Sequence, residues 1–100
     1  IPTYQRDTDV FICLMEDKYF PQLSKLASSL REKGINVLQQ LEPIKLSKQL
    51  KYASQEKIPW TIILGEDEIN KDLIQLKDMK NRESFLITKE EVIEKVLKSR

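Results

Sequence analysis

Histidine is absent from the chain, and cysteine occurs once, as Cys13. The first absence removes the commonest general base and the commonest metal ligand. A single cysteine can form no internal disulfide and no thiolate metal site of its own, and its usage is compatible with a reducing compartment. The two glycines, Gly34 and Gly65, lie far apart. No G-x-x-x-x-G-K-[ST] or G-x-G-x-x-G occurs, so the phosphate cradle of a mononucleotide or dinucleotide site is missing. No D-x-[DN]-x-[DN]-G calcium loop occurs either. No apolar run approaches the ~20 residues of a membrane-spanning helix. Nor does either charge dominate. Seventeen Lys and Arg stand against 16 Asp and Glu, a net +1, which argues against gripping nucleic acid or anionic membrane by bulk charge alone.

What is present is the composition of one soluble domain over residues 1–100: 40% hydrophobic and 33% charged. That balance excludes disorder, and the length suits a single core. The opening Ile1-Pro2-Thr3-Tyr4 has neither an initiator Met nor a signal-peptide pattern. A piece cut from a longer protein is the expectation.

Val10 to Met15 is a continuous apolar run, the pattern of a strand buried on both faces. From Lys18 to Lys33 the spacing turns helical, with Phe20, Leu23, Leu26, Ala27 and Leu30 on one stripe. Pro21 suits its first turn and Gly34 the position past its end. Ile35–Gln39 reads as a second strand. A second helix over Lys45–Lys57 carries Leu46, Leu50 and Ala53, and Trp60–Leu64 reads as a third buried strand stopped by Gly65. Short links and crossover helices imply that these three strands are parallel.

Leu73–Lys77 and Ser84–Ile87 are short strands joined by a turn around Lys80-Asn81-Arg82. Thr88 with Glu91 three residues on is a capping box that opens a last helix striped by Val92, Ile93, Val96 and Leu97. The expected fold is α/β, in three α/β/α layers. A mixed five-stranded sheet and three helices follow the order β-α-β-α-β-β-β-α.

Open α/β sheets bind ligands at the carboxyl ends of their parallel strands. Those ends are Glu16-Asp17, Gln39-Gln40 and Gly65-Glu66-Asp67-Glu68, two of them acidic. Carboxylates there can accept from base N–H groups in unpaired RNA. Residues 45–57 carry four Lys against one Glu, and Lys77, Lys80 and Arg82 follow later. An acidic edge flanked by basic patches would contact bases and phosphates separately. The bland readings stand beside these: solvated helix faces for the lysines, a solvated turn for Glu66–Glu68, core packing for Trp60, a buried structural thiol for Cys13 and a simple cap for Glu91.

Two blocks carry a resemblance: Lys45-Leu46-Ser47-Lys48-Gln49-Leu50-Lys51-Tyr52-Ala53 and Ile58-Pro59-Trp60-Thr61-Ile62-Ile63-Leu64-Gly65-Glu66-Asp67-Glu68. Leu30–Ile35 before them and Leu76–Met79 after them support it. Roughly residues 9 to 98 resemble the anticodon-binding domain of class II aminoacyl-tRNA synthetases, with a helix most similar to the histidyl branch.

The resemblance implies a non-catalytic module that binds the anticodon loop of tRNA. The catalytic domain, using ATP and Mg, would precede Ile1 in a cytoplasmic, homodimeric parent. It implies no cofactor or metal in this segment and no membrane. By motif position Glu68, closing G-x-x-E, and Lys77 on the next strand would contact anticodon bases. Gln40, Lys45, Lys48 and Gln49 would add contacts from the strand ends and the following helix. Asn70-Lys71-Asp72 and Asn81-Arg82-Glu83-Ser84 replace glycine-bearing turns of the family; Asn tolerates positive φ better than most residues, so both turns are expected to survive. The alternative is a regulatory or protein-interaction domain of the same fold that reads no tRNA.

Overall fold

The computed structural model describes residues 8–99; the opening Ile1-Pro2-Thr3-Tyr4 lies outside the described residues. Five strands form one sheet: β1 (Val10–Ile12), β2 (Val37–Gln39), β3 (Trp60–Ile63), β4 (Ile74–Asp78) and β5 (Glu83–Ile87). Their order across it is β2-β1-β3-β4-β5. β1 pairs in parallel with β2 and β3, while β4 and β5 run antiparallel. The helices are α1 (Phe20–Glu32), α2 (Leu46–Gln55), α3 (Glu66–Lys71) and α4 (Lys89–Lys98), and a 3₁₀ turn at Asp17–Tyr19 leads into α1.

The three-layer architecture and mixed sheet stand as expected, with three long helices, but α3 is added to the order. Its six residues have no apolar stripe. Capping makes it: Glu66, Asp67 and Glu68 fill the first turn, where acids complement the helix dipole. At the other end Asp72 takes φ 56.

α1 and α4 cover one face of the sheet. Leu23, Leu26, Ala27 and Leu30 of α1 and Val92 and Val96 of α4 join Val10, Ile12, Trp60, Ile62, Ile74 and Leu76 in the larger core. α2 covers the other face, with Ala53, Leu46 and Leu50 against Phe11, Cys13 and Ile63. β1 and β3 are therefore buried on both sides, which is why they read as unbroken apolar runs, whereas β2 at the sheet edge is half-buried. Trp60 belongs to the core, and its Nε1 donates to Ser99 Oγ (3.0 Å). Burial pushes the Cys13 thiol up to about 12, with the Lys77 ammonium acting the other way.

The carboxyl ends of α1 and α2 follow one device. Ile35 N donates to Leu30 O and Gly34 N to Arg31 O, with Gly34 at φ 84. This is the paired closure that needs a left-handed residue. Ile58 N to Ala53 O and Lys57 N to Ser54 O repeat it after α2, with Lys57 at φ 57. Among the described residues the non-glycine ones at positive φ are Lys57, Asp72 and Arg82, so in both of the turns that lack the family's glycine a residue other than asparagine is left-handed. Asn81 instead serves the β4–β5 turn, where its N and Nδ2 and Lys80 N donate to the Asp78 carboxylate. Burial alone would raise the Asp78 carboxyl; those hydrogen bonds and the Lys80 charge hold it below its ordinary 3.8. The expected capping box of the last helix is present: Thr88 Oγ1 accepts from Glu91 N, and Glu91 Oε1 from Thr88 N.

Candidate nucleic-acid interface

The carboxyl ends of β1, β2 and β3 share one rim of the sheet because the three strands are parallel. α2 begins at that rim and α3 follows it directly. Gln40, Lys45, Lys48, Gln49 and Glu68 all derive from this edge, as expected.

Gln49 is turned inward. It is fully buried, its Oε1 accepts from Leu14 N, and its Nε2 donates to both Leu14 O and Ile44 O, each at 2.8 Å. Its amide is wholly taken up by backbone groups. It ties the end of β1 to the entry of α2 and offers no atom to a ligand. The signal was in the sequence. Gln49 lies three residues after Leu46 and four before Ala53, on the buried stripe of the helix. Gln40 is half-buried and folds its own loop, with Nε2 donating to Glu42 O (2.9 Å). Lys45 caps α2 from an extended backbone, and both Lys45 and Lys48 are exposed.

Glu68 is the third residue of α3. Its Oε1 accepts from Gly65 N at 2.7 Å, so the G-x-x-E spacing is a helix cap: the carboxylate satisfies an amide that the first turn leaves free. Gly65 has an extended backbone, φ −112. A Cβ there would lie 3.0 Å from Glu68 Oε1, a tight contact that the carboxylate would have to ease. Glu68 is half-buried and, among the described residues, forms no ion pair with a Lys or Arg. It borders a cleft of about 420 Å³ between α1, α3 and the start of α4, with Lys25, Ser29, Asp72 and Thr88 among its neighbours there.

Lys77 is set apart from Glu68. It pairs with Thr61 in mid-strand and alternates with buried Leu76, which places it on the α2 side of the sheet. Leu64 and Ile74, which share the Glu68 cleft, belong to the opposite face. The basic residues after Lys77 are farther off. Trp60 pairs with Asp78, so the turn with Lys80 and Arg82 lies at the amino end of β3. That corrects the expectation that residues 77–83 flank the reading edge. Only Lys45 and Lys48 bring positive charge from the lysine-rich segment to the rim, since α2 runs away from it.

No cluster of three His, Cys, Asp or Glu suited to a metal occurs among the described residues. No described helix is long and apolar enough to cross a membrane.

Comparison with known proteins bears on the family and the fold. The family described as "Anticodon binding domain" matches residues 9–99. The chain is 37% identical over 90 residues to the histidine–tRNA ligase of Cytophaga hutchinsonii, covering 90% of the chain and 20% of that protein. It is 35% identical over 96 residues to the histidine–tRNA ligase of Leptospira biflexa, covering 96% and 22%. The chain thus spans about a fifth of these relatives. A solved histidyl-tRNA synthetase from Nostoc sp. superposes with a TM-score of 0.87 at 27% identity, over 92% of the chain and 22% of that structure. The RNA-binding domain of threonyl-tRNA synthetase from Cryptosporidium parvum superposes at 0.83 with 14% identity, over 90% and 23%, and so shows a shared fold. The chain belongs to the anticodon-binding-domain family.

Proposed function

We propose that this domain holds the anticodon loop of a histidine tRNA as the RNA-binding module of a histidine–tRNA ligase. The supporting observation is the family match over residues 9–99 together with two histidine–tRNA ligases at 35% and 37% identity. On this reading the ATP- and Mg-dependent chemistry belongs to a catalytic domain elsewhere in a homodimeric cytoplasmic enzyme. The module contributes binding energy: gripping the loop orients the distant acceptor end, and a wrong anticodon forfeits contacts. The relatives named above give the protein-interaction alternative no support.

The strand-end rim is the reading surface. Glu68 uses one oxygen for its helix cap and has the other to accept a base N–H. Gln40 offers an amide, and Lys45 and Lys48 offer charge to phosphates. Gln49 acts by holding the rim in place, and any contact by Lys77 comes from the opposite face of the sheet, apart from Glu68.

Capping and base reading by Glu68 are separable. Glu68→Gln keeps a side-chain oxygen for Gly65 N and removes the charge, whereas Glu68→Ala removes both. Calorimetric titration with cognate tRNA and with an anticodon-substituted tRNA tests the role. Glu68→Gln is expected to weaken cognate binding about tenfold, the scale of one charge-assisted hydrogen bond, and to change binding of the substituted tRNA little. Equal losses on both RNAs reject base reading by Glu68.

A further inference from the structure

β2 is an edge strand, so part of its backbone faces away from the sheet. Asn36 O accepts from Asp9 N and Val10 N, and Gln40 N donates to Ile12 O. Asn36 and Gln40 therefore face β1. Backbone groups alternate sides along a strand, which leaves Val37 and Gln39 facing outward. An edge of this kind is a template on which another strand can add.

One of these outward carbonyls is already taken. Arg31 Nη2 donates to Val37 O at 3.0 Å. The closure of α1 sets that reach: Gly34 N bonds Arg31 O, Ile35 N bonds Leu30 O, and Gly34 at φ 84 turns the chain back beside the last turn of the helix. Two turns earlier on the same face of α1, Ser24 Oγ accepts from Gln39 Nε2 at 2.9 Å. Arg31 thus lays a guanidinium on the free edge while Ser24 holds the far end of the strand. An incoming strand would have to displace the Arg31 bond and take its charge out of water, which opposes pairing at a sheet edge.

We propose that Arg31 is a latch that keeps β2 from pairing edge to edge with β2 of a second copy of this chain. Val37 and Gln39 each present one N–H and one C=O outward. An antiparallel copy satisfies that set, Val37 of one copy meeting Gln39 of the other. The Arg31 bond withholds one acceptor of the set. The latch goes beyond the RNA-binding reading and does not depend on it.

Sedimentation equilibrium of the intact protein over a range of concentrations, with amide exchange at each, tests the latch. Arg31→Met keeps the stem and removes the guanidinium. It is expected to raise the weight-average mass above that of wild type as concentration rises, and to slow exchange of the outward Val37 and Gln39 amides about tenfold. Adding Val37→Pro removes one outward N–H at a position where an edge strand tolerates proline, and is expected to restore the wild-type mass. A mass for Arg31→Met no higher than that of wild type at any concentration overturns the latch. So does association that survives Val37→Pro. If Arg31→Met melts earlier than wild type, slowing confined to Val37 and Gln39 still marks edge pairing, and a rise in mass without it overturns the proposal.

Discussion

The two halves of the sheet are built on different principles. In the parallel half β1 and β3 are buried at every position, α1 packing on one side and α2 on the other. In the antiparallel half β4 alternates buried and half-buried residues, and β5 is exposed or half-buried throughout. α4 covers one face there, helped by Lys95 Nζ 4.2 Å from the Phe85 ring centre. The opposite face carries Gln75, Lys77, Ser84 and Leu86, the last 50% exposed. The enclosed half fixes the backbone of the rim where RNA is proposed to bind, while the half-open one closes the sheet and tolerates polar substitution.

The sharpest way to break this contrast is truncation in each half. Phe11→Ala, between β1 and α2, is expected to cost about 3–5 kcal/mol, whereas Leu86→Ala on the open face should stay within about 0.5 kcal/mol. Urea denaturation measures both, and similar costs would erase the distinction. Next comes the polar tie of the enclosed half. Gln49→Leu strands Leu14 N, Leu14 O and Ile44 O, at about 2–4 kcal/mol, with faster amide exchange at Leu14 as its local signature.

The antiparallel half has its own polar tie in Asp78. Its carboxyl is held below the ordinary value, so the stability it supplies is present above pH 3.8 and lost as pH falls below that. Asp78→Ala is expected to cost about 1–2 kcal/mol near neutrality, and the gap to wild type should shrink in acid denaturation curves. The smallest effect sharpens the comparison of helix ends. Gly34 closes α1 without strain, whereas Lys57 does the same work after α2 at φ 57. Lys57→Gly is expected to raise stability by about 0.5 kcal/mol, relief of left-handed strain being partly offset by unfolded-chain entropy, seen as a small rise in Tm.

The same contrast explains what was legible in the sequence. Val10–Leu14 and Trp60–Leu64 announce strands because burial on both faces demands unbroken apolar runs. The stripe of α1 and the Thr88–Glu91 box are equally plain, since each is local. α3 was concealed because Glu66-Asp67-Glu68 looks like a solvated turn; what makes it a helix is the carboxylate of Glu68 returning to Gly65. The rim was legible as a place but not in its details. Gln49 passes for a surface glutamine unless its position on the Leu46–Ala53 stripe is weighed. The opposite facing of Lys77 and the distance of Lys80 and Arg82 follow from antiparallel register, which appears only when strands pair.

The most direct measurement is a map of backbone amide shifts as the anticodon hairpin is added to the intact protein. Shifts centred on Met15–Glu16, Gln40–Lys48 and Gly65–Glu68, with Met79–Arg82 unmoved, are the expected result. Shifts centred on the Met79–Arg82 turn, with the strand-end rim silent, would contradict it.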